Sequence, residues 1–230
     1  LKIGGPAVCY YNTKWLIPFF EEMKKRSVPM DFYSWHCYSS NVSDYIEDVR
    51  LHRALLDKYG YFDCESILNE WNYVCGWGGE EWKRSLETEL SIKGAAFISA
   101  VMTACQHERL DMLMYYDARI NSSMNGLFKS RTFEPLKGYY PIKIWGEMLL
   151  SDGECETSCD IPDIYAVSAV KDGTSVTMLT YYTDSENALP RTFKVELPGD
   201  FLRTVYLLDS SKDMVAVETI APDNGSFTLT

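Results

Sequence analysis

The feature that most constrains this chain is an alternation of period. From residue 2 to about residue 150, apolar runs of strand length take turns with stretches whose apolar residues recur every third or fourth position. Strands that alternate with helices in this way make parallel βα units, because a parallel neighbour needs a crossover long enough to hold a helix. Four units can be read. A strand at Lys2–Val8 precedes a helix at Lys14–Arg26 with Trp15, Phe19 and Met23 in register. A strand at Met30–His36 precedes a helix that starts at Ser43, a residue suited to capping, and closes at Gly60; Tyr45, Val49, His52, Leu56 and Tyr59 form its buried stripe. A strand at Glu65–Glu70 leads through a Gly/Trp-rich loop, Trp71–Glu80, into one long helix on which Leu86, Leu90, Phe97 and Val101 share a face. A strand at Leu110–Tyr116 is followed by an irregular stretch and a helix at Tyr139–Leu150.

Beyond Leu150 the pattern changes. Residues 151–163 are polar, hold Cys155, Cys159 and a proline, and have the composition of a connector. Residues 164–230 carry β-rich runs at Ile164–Val170, Ser175–Tyr182, Arg191–Leu197, Val205–Leu208 and Met214–Thr219, split by turn signals at Lys171-Asp-Gly-Thr and Pro222-Asp-Asn-Gly, and read as an all-β, sandwich-like module. For residues 1–150 the choice lies between a small open sheet and half of a (β/α)₈ barrel. A nucleotide-binding sheet would carry a glycine fingerprint after its first strand, whereas Gly4 and Gly5 lie inside the strand, so the half-barrel is the better reading.

Charge and composition exclude some functions. A net charge of −11 with scattered Lys and Arg argues against nucleic-acid binding. No apolar run reaches the roughly 18 residues that a membrane helix needs, and the opening residues lack a signal-peptide pattern. The seven cysteines are an odd number and mostly solitary, which suits buried thiols and favours a reducing, cytoplasmic setting over secretion. Cys155 and Cys159, without a second pair or a nearby histidine, read as a local disulfide or two free thiols; no metal or other cofactor is expected. Aromatic residues make up 14% of the chain, 16 of them Tyr and 6 Trp, as suits a surface that stacks on sugar rings.

In a βα barrel the chemistry lies at the C-terminal ends of the strands. That rule sets aside Asp31 and Glu65, which open their strands, and selects His36, Tyr38, Asn69, Glu70, Asn72 and Asp117. Ser66-Ile-Leu-Asn-Glu-Trp-Asn72 puts a carboxylate, two amides and an indole at one strand end. A carboxylate there can attack an anomeric carbon, amides can bind sugar hydroxyls, and Trp71 or Trp77 can serve as a sugar platform. Cys37 should face away from the site by strand alternation.

Ile3-Gly-Gly-Pro-Ala7, Asp31-Phe-Tyr-Ser-Trp-His-Cys-Tyr38 and Ile67-Leu-Asn-Glu-Trp-Asn72 resemble, in order and spacing, strands five, six and seven of glycoside hydrolase family 39, which includes β-xylosidases and α-L-iduronidases. Lys137-Gly-Tyr-Tyr and Trp145-Gly-Glu-Met148 resemble the closing helix before that family's β-module. The resemblance implies the C-terminal half of a (β/α)₈ TIM barrel, strands five to eight, followed by the β-module. It implies Glu70 as nucleophile of a retaining enzyme, His36 and Tyr38 lining the sugar subsite with Tyr38 donating to Glu70, and Tyr115 or Tyr116 as the aromatic brought by strand eight, with Asp117 behind. The family's acid/base glutamate lies on strand four, ahead of Leu1, so the expected partner is an N-terminal barrel half or a second chain, and the expected substrate a carbohydrate. Glu80, Glu81, Asp117 and Glu134 are the loop carboxylates within the chain that could replace it. The alternative is a non-catalytic carbohydrate-binding or assembly fragment derived from such an enzyme.

Overall fold

The computed structural model describes all residues except 198, 200, 222–224 and 230. Apart from Gly225, the turn expected at 222–225 therefore lies outside the described residues. Two compact units are present, Leu1–Tyr182 and Thr183–Thr230.

The first unit is mixed α/β. Strands β1 (Gly4–Val8), β2 (Phe32–Tyr38), β3 (Glu65–Asn72) and β4 (Met112–Tyr115) form a four-stranded sheet in that order, every pair parallel. Helices α1 (Thr13–Lys25), α2 (Val42–Lys58), α3 (Gly79–Glu89) and α4 (Ile92–Cys105) fill the crossovers. The largest core joins Tyr33, Trp35, Cys37, Leu68 and Trp71 of the strands to Leu16 and Phe20 of α1, Tyr45, Val49 and Leu56 of α2, and Phe97, Ile98 and Val101 of α4. The stripe read for α2 and the Phe97 and Val101 positions of α4 cover one face of the sheet, whereas in α1 the buried residues are Leu16 and Phe20, one position on from the expected Trp15 and Phe19, and Trp15 is exposed. Cys37 lies on that covered face, as strand alternation required.

Local chemistry explains the element ends. Asn12 caps α1 by accepting from the Lys14 amide at 3.1 Å. Helix α2 begins one residue ahead of Ser43, with Asn41 at its cap position, so Ser43 lies in the first turn. Gly60, at φ 85°, takes the left-handed conformation that stops α2. The single long helix expected after the Gly/Trp loop is two helices: Ser91 accepts from the Lys93 amide at 3.1 Å and starts α4, while Leu90 is exposed at the corner. Trp71 and Asn72, expected in that loop, belong to β3.

β3 carries the feature that matters most for the site. Leu68 pairs with Trp35, yet the next pairing joins Glu70 to His36, and against β4 the register also slips between Leu68 and Trp71. One extra residue, Asn69, is therefore inserted in β3 relative to both neighbours, a β-bulge. Leu68 and Trp71, three positions apart, both pack into the helix-side core. Strict alternation would have put them on opposite faces.

After α5 (Tyr139–Leu149), β5 (Gly153–Cys155), β6 (Ile164–Lys171) and β7 (Thr174–Tyr181) make an antiparallel sheet. The break between units comes after Tyr182, later than the 151–163 connector expected from composition. The reason is packing: Met148 of α5 joins Val167, Ala169 and Met178 in a second core, Ser99 of α4 lies 2.5 Å from Thr180, and the Tyr182 ring packs at a tilt against Phe97 at 5.4 Å. β5 forms inside the polar stretch, where composition suggested only a linker. The second unit contains two antiparallel pairs, β8 (Phe193–Glu196) with β11 (Ser226–Leu229) and β9 (Arg203–Leu208) with β10 (Asp213–Ile220). All seven cysteines are free thiols, Cys155 and Cys159 included.

Candidate active site

The C-terminal ends of β2 and β3 bring His36, Tyr38 and Glu70 together. His36 lies between Trp35 and Cys37, both in the helix-side core, so it projects from the opposite face. The bulge at Asn69 turns Glu70 to that same face, whereas unbroken alternation from Leu68 would have sent it among the helices.

Tyr38 donates to Glu70 Oε2 at 2.8 Å, the hydrogen bond anticipated from the sequence, and His36 Nδ1 lies 3.3 Å from the same oxygen. Oε1 takes no partner among the described residues, and the Glu70 side chain is 32% exposed. One oxygen is held while the other faces solvent. Burial raises the Tyr38 phenol pKa and the hydrogen bond to Glu70 raises it further, so the hydroxyl keeps its proton and acts as a donor. Burial lowers the pKa of His36, partly offset by the Glu70 charge, so near pH 7 its imidazole is neutral and a proton on Nδ1 suits the contact with Glu70. His36 Nε2 and Asn69 Oδ1 are enclosed and without a hydrogen-bond partner among the described residues. Such atoms cost about 1–3 kcal/mol each, a cost borne here beside Glu70.

An aromatic wall adjoins the carboxylate. Tyr38 meets Trp77 edge-on at 5.1 Å and Tyr116 at 6.5 Å, and Trp77 is stacked on Trp82 at 5.4 Å. Trp82 was not singled out in the sequence, because its spacing looks like that of any helix-face residue.

Four of the residues selected from the sequence have other duties. Trp71 is 1% exposed and wedged between Tyr45, Phe97 and Tyr115, so it cannot serve as a sugar platform; the bulge delivers it to the core. Asn72 is saturated by the backbone: its amide nitrogen donates to the carbonyls of Tyr116 and Met124 at 2.7 and 3.2 Å, and its oxygen accepts from the Tyr73 amide at 2.7 Å. It fixes the loop after β4. Tyr115 packs on Trp71 with its hydroxyl enclosed, and Tyr116 is the tyrosine that faces Tyr38.

Asp117 is buried and bound to Arg119 through both the side chain, at 2.8 Å, and the backbone amide, at 2.8 Å. Burial pushes its pKa up, but hydrogen bonds from Arg119 and Ser122 outweigh it and the net shift is downward. Asp117 is thus a structural anion. Among the other loop carboxylates, Glu134 pairs with Lys129 at 2.8 Å and Glu80 lies 3.9 Å from Lys83.

With this geometry in view, solved structures give the fold its context. A glucosidase from Croceicoccus marinus superposes with a TM-score of 0.72 at 20% identity, over 100% of this chain and 57% of that one. A GH39 β-xylosidase from Caulobacter crescentus superposes with a TM-score of 0.54 at 18% identity, over 75% of this chain and 37% of that one. The fold is shared with glycoside hydrolases, family 39 among them. An α-L-arabinofuranosidase from Thermotoga maritima extends the set of glycoside hydrolases, with a TM-score of 0.56 at 14% identity over 94% of this chain and 53% of that one. In sequence, a β-xylosidase from Geobacillus stearothermophilus is 42% identical over 40 residues, 17% of this chain and 8% of the relative. No family model matches. The chain therefore spans little more than half the length of these glycoside hydrolases at most.

Proposed function

We propose that this chain carries the nucleophile half of a retaining, β-xylosidase-like glycoside hydrolase. In this reading the parallel sheet is strands five to eight of a (β/α)₈ barrel, and Glu70 is the nucleophile. One observation carries it: Glu70 is turned to the open face of the sheet with Oε2 held by Tyr38 and His36 and Oε1 free. A carboxylate positioned by one oxygen and unencumbered at the other suits in-line attack on an anomeric carbon.

In the first displacement Glu70 bonds to the anomeric carbon, and the bond to the leaving oxygen breaks as a second carboxylic acid protonates it. That acid, now a carboxylate, takes a proton from water, whose oxygen attacks the same carbon and frees Glu70, so the configuration is retained. The two carboxyl groups must lie ~5–5.5 Å apart. Asp117 and Glu134 are engaged by Arg119 and Lys129, so the acid/base is assigned to strands that would complete the barrel, from another segment or a second chain. Two features support such a complement: β1 and β4 each pair on one side only among the described residues, and Met112 and Met114 are exposed on β4.

The test is Glu70→Gln in the full-length protein. Turnover of an aryl β-xyloside is expected to fall by at least about a thousandfold, while Glu70→Ala with azide should yield a glycosyl azide of inverted configuration. Near-parental activity of Glu70→Gln would remove Glu70 as nucleophile.

A further inference from the structure

We propose that Trp77 is the platform on which the leaving group of the substrate stacks, making it a determinant of which glycosides the site turns over; the proposal rests on the reading of Glu70 as nucleophile. Trp77 lies in the loop at 73–78 and is open to solvent, the residue being 63% exposed.

The ring is also held. Trp82 is stacked against it at an interplanar angle of 19°, and the Tyr38 ring meets it edge-on at 76°. The loop beneath is pinned to α3: the Cys75 amide donates to Ser85 Oγ at 3.0 Å, and Ser85 Oγ donates to the Glu81 carbonyl at 2.9 Å. A side chain on Gly76 would strike Glu81, so the loop can run this close to the helix only with glycine at that position. An exposed indole fixed in advance loses little freedom when a ring settles on it.

The line Glu70, Tyr38, Trp77 sets which part of the substrate it meets. The sugar under attack must sit against Glu70 Oε1. Trp77 touches the ring of Tyr38, which bonds Glu70 Oε2, and opens to solvent. The leaving group must depart to solvent and the incoming acceptor must arrive from it, so the solvent-open ring matches that side. The chemistry it takes is a flat apolar face, either an aryl ring or the C–H face of a second pyranose.

The test compares two substrates with one glycone in the full-length protein, an aryl β-xyloside and β-xylosyl fluoride, whose leaving atom has no ring to stack. Trp77→Ala is expected to lower the ratio of kcat/KM on the aryl xyloside to that on the fluoride by roughly 3- to 10-fold, chiefly through KM, and Trp77→Phe to restore most of it. Thermal unfolding of each variant should match the parent, since Trp77 is exposed. An unchanged ratio overturns the proposal, whether both substrates lose equally or neither does. Glu70→Gln separates the two readings: if it abolishes turnover of both substrates while Trp77→Ala leaves the ratio alone, only the platform fails. A parent protein inactive on both, with Glu70→Gln no different, brings down both readings.

Discussion

The two ends of the parallel sheet treat their carboxylates in opposite ways. At the end where the strands begin, Asp31 accepts from the Ile3 amide at 2.7 Å, Asp111 accepts from the Ser66 amide at 2.7 Å, and Glu65 pairs with Lys2. Each of these side chains ties one strand to its neighbour. At the end where the strands finish, Glu70 meets only side chains and keeps an oxygen open, beside the enclosed and unpaired His36 Nε2 and Asn69 Oδ1. One end uses its charge to hold the sheet together. The other holds charge ready, which is how a reactive end differs from a supporting one.

The comparison can be broken by mutation, and the largest effect should come from Glu70→Gln. Beyond the loss of turnover, it should leave the urea midpoint of the protein close to the parent value, because Glu70 ties no backbone. A large loss of stability would mean that Glu70 is a stitch like the carboxylates at the other end.

Glu89 sharpens the distinction, because it is unpaired for a different reason. It is 1% exposed, with neither oxygen bonded among the described residues. Burial, with the Asp117 charge adding, pushes its pKa up to about 8. The folded value lies above the unfolded one of about 4.3, so the stabilisation is complete below pH ~4.3 and is lost as pH rises towards 8. Glu89→Gln should therefore reduce the loss of stability between pH 5 and pH 8 by on the order of a few kcal/mol, read from urea unfolding at the two pH values. An unchanged pH dependence would mean that the carboxyl is ionised and partnered.

Smaller effects belong to the supporting end. Asp111→Ala should cost about 1–2 kcal/mol of stability with kcat/KM kept, since it removes a charge-assisted bond to the Ser66 amide. Lys2→Ala should leave the urea midpoint close to the parent value, because the lysine that pairs with Glu65 is exposed to solvent. If either variant lowered activity more than stability, the two ends would not be separate in function.

Much of this arrangement was legible in the residues. The strands and most of the helices of the first unit lie within a few residues of where periodicity placed them, because α1, α2 and α4 bury apolar side chains against one face of the sheet. The rule that chemistry sits at strand ends separated Glu70 from Asp31 and Glu65. What escaped was anything set by how a loop folds back on itself or by a change of count. Asp117 looked available until Arg119 closed on it. Asn72 looked like a sugar ligand, but the loop carbonyls at Tyr116 and Met124 claim it. Trp71 was read as the first residue of a loop, whereas the bulge extends the strand and delivers it to the core, and the choice between Tyr115 and Tyr116 stayed open. A clue was present: Leu68 and Trp71 are both large and apolar yet three apart, a spacing that a regular strand cannot bury on one side.

That interruption has a consequence for how the site can be lost or moved. In a regular strand a residue directly after Leu68 would already face the open side and the next one the core, so the bulge absorbs Asn69 as one extra residue and still delivers Glu70 to the open side and Trp71 to the core. Substitutions can tune such a site by degrees. Loss of Asn69 alone would remove the bulge yet keep the carboxylate outward and the indole inward.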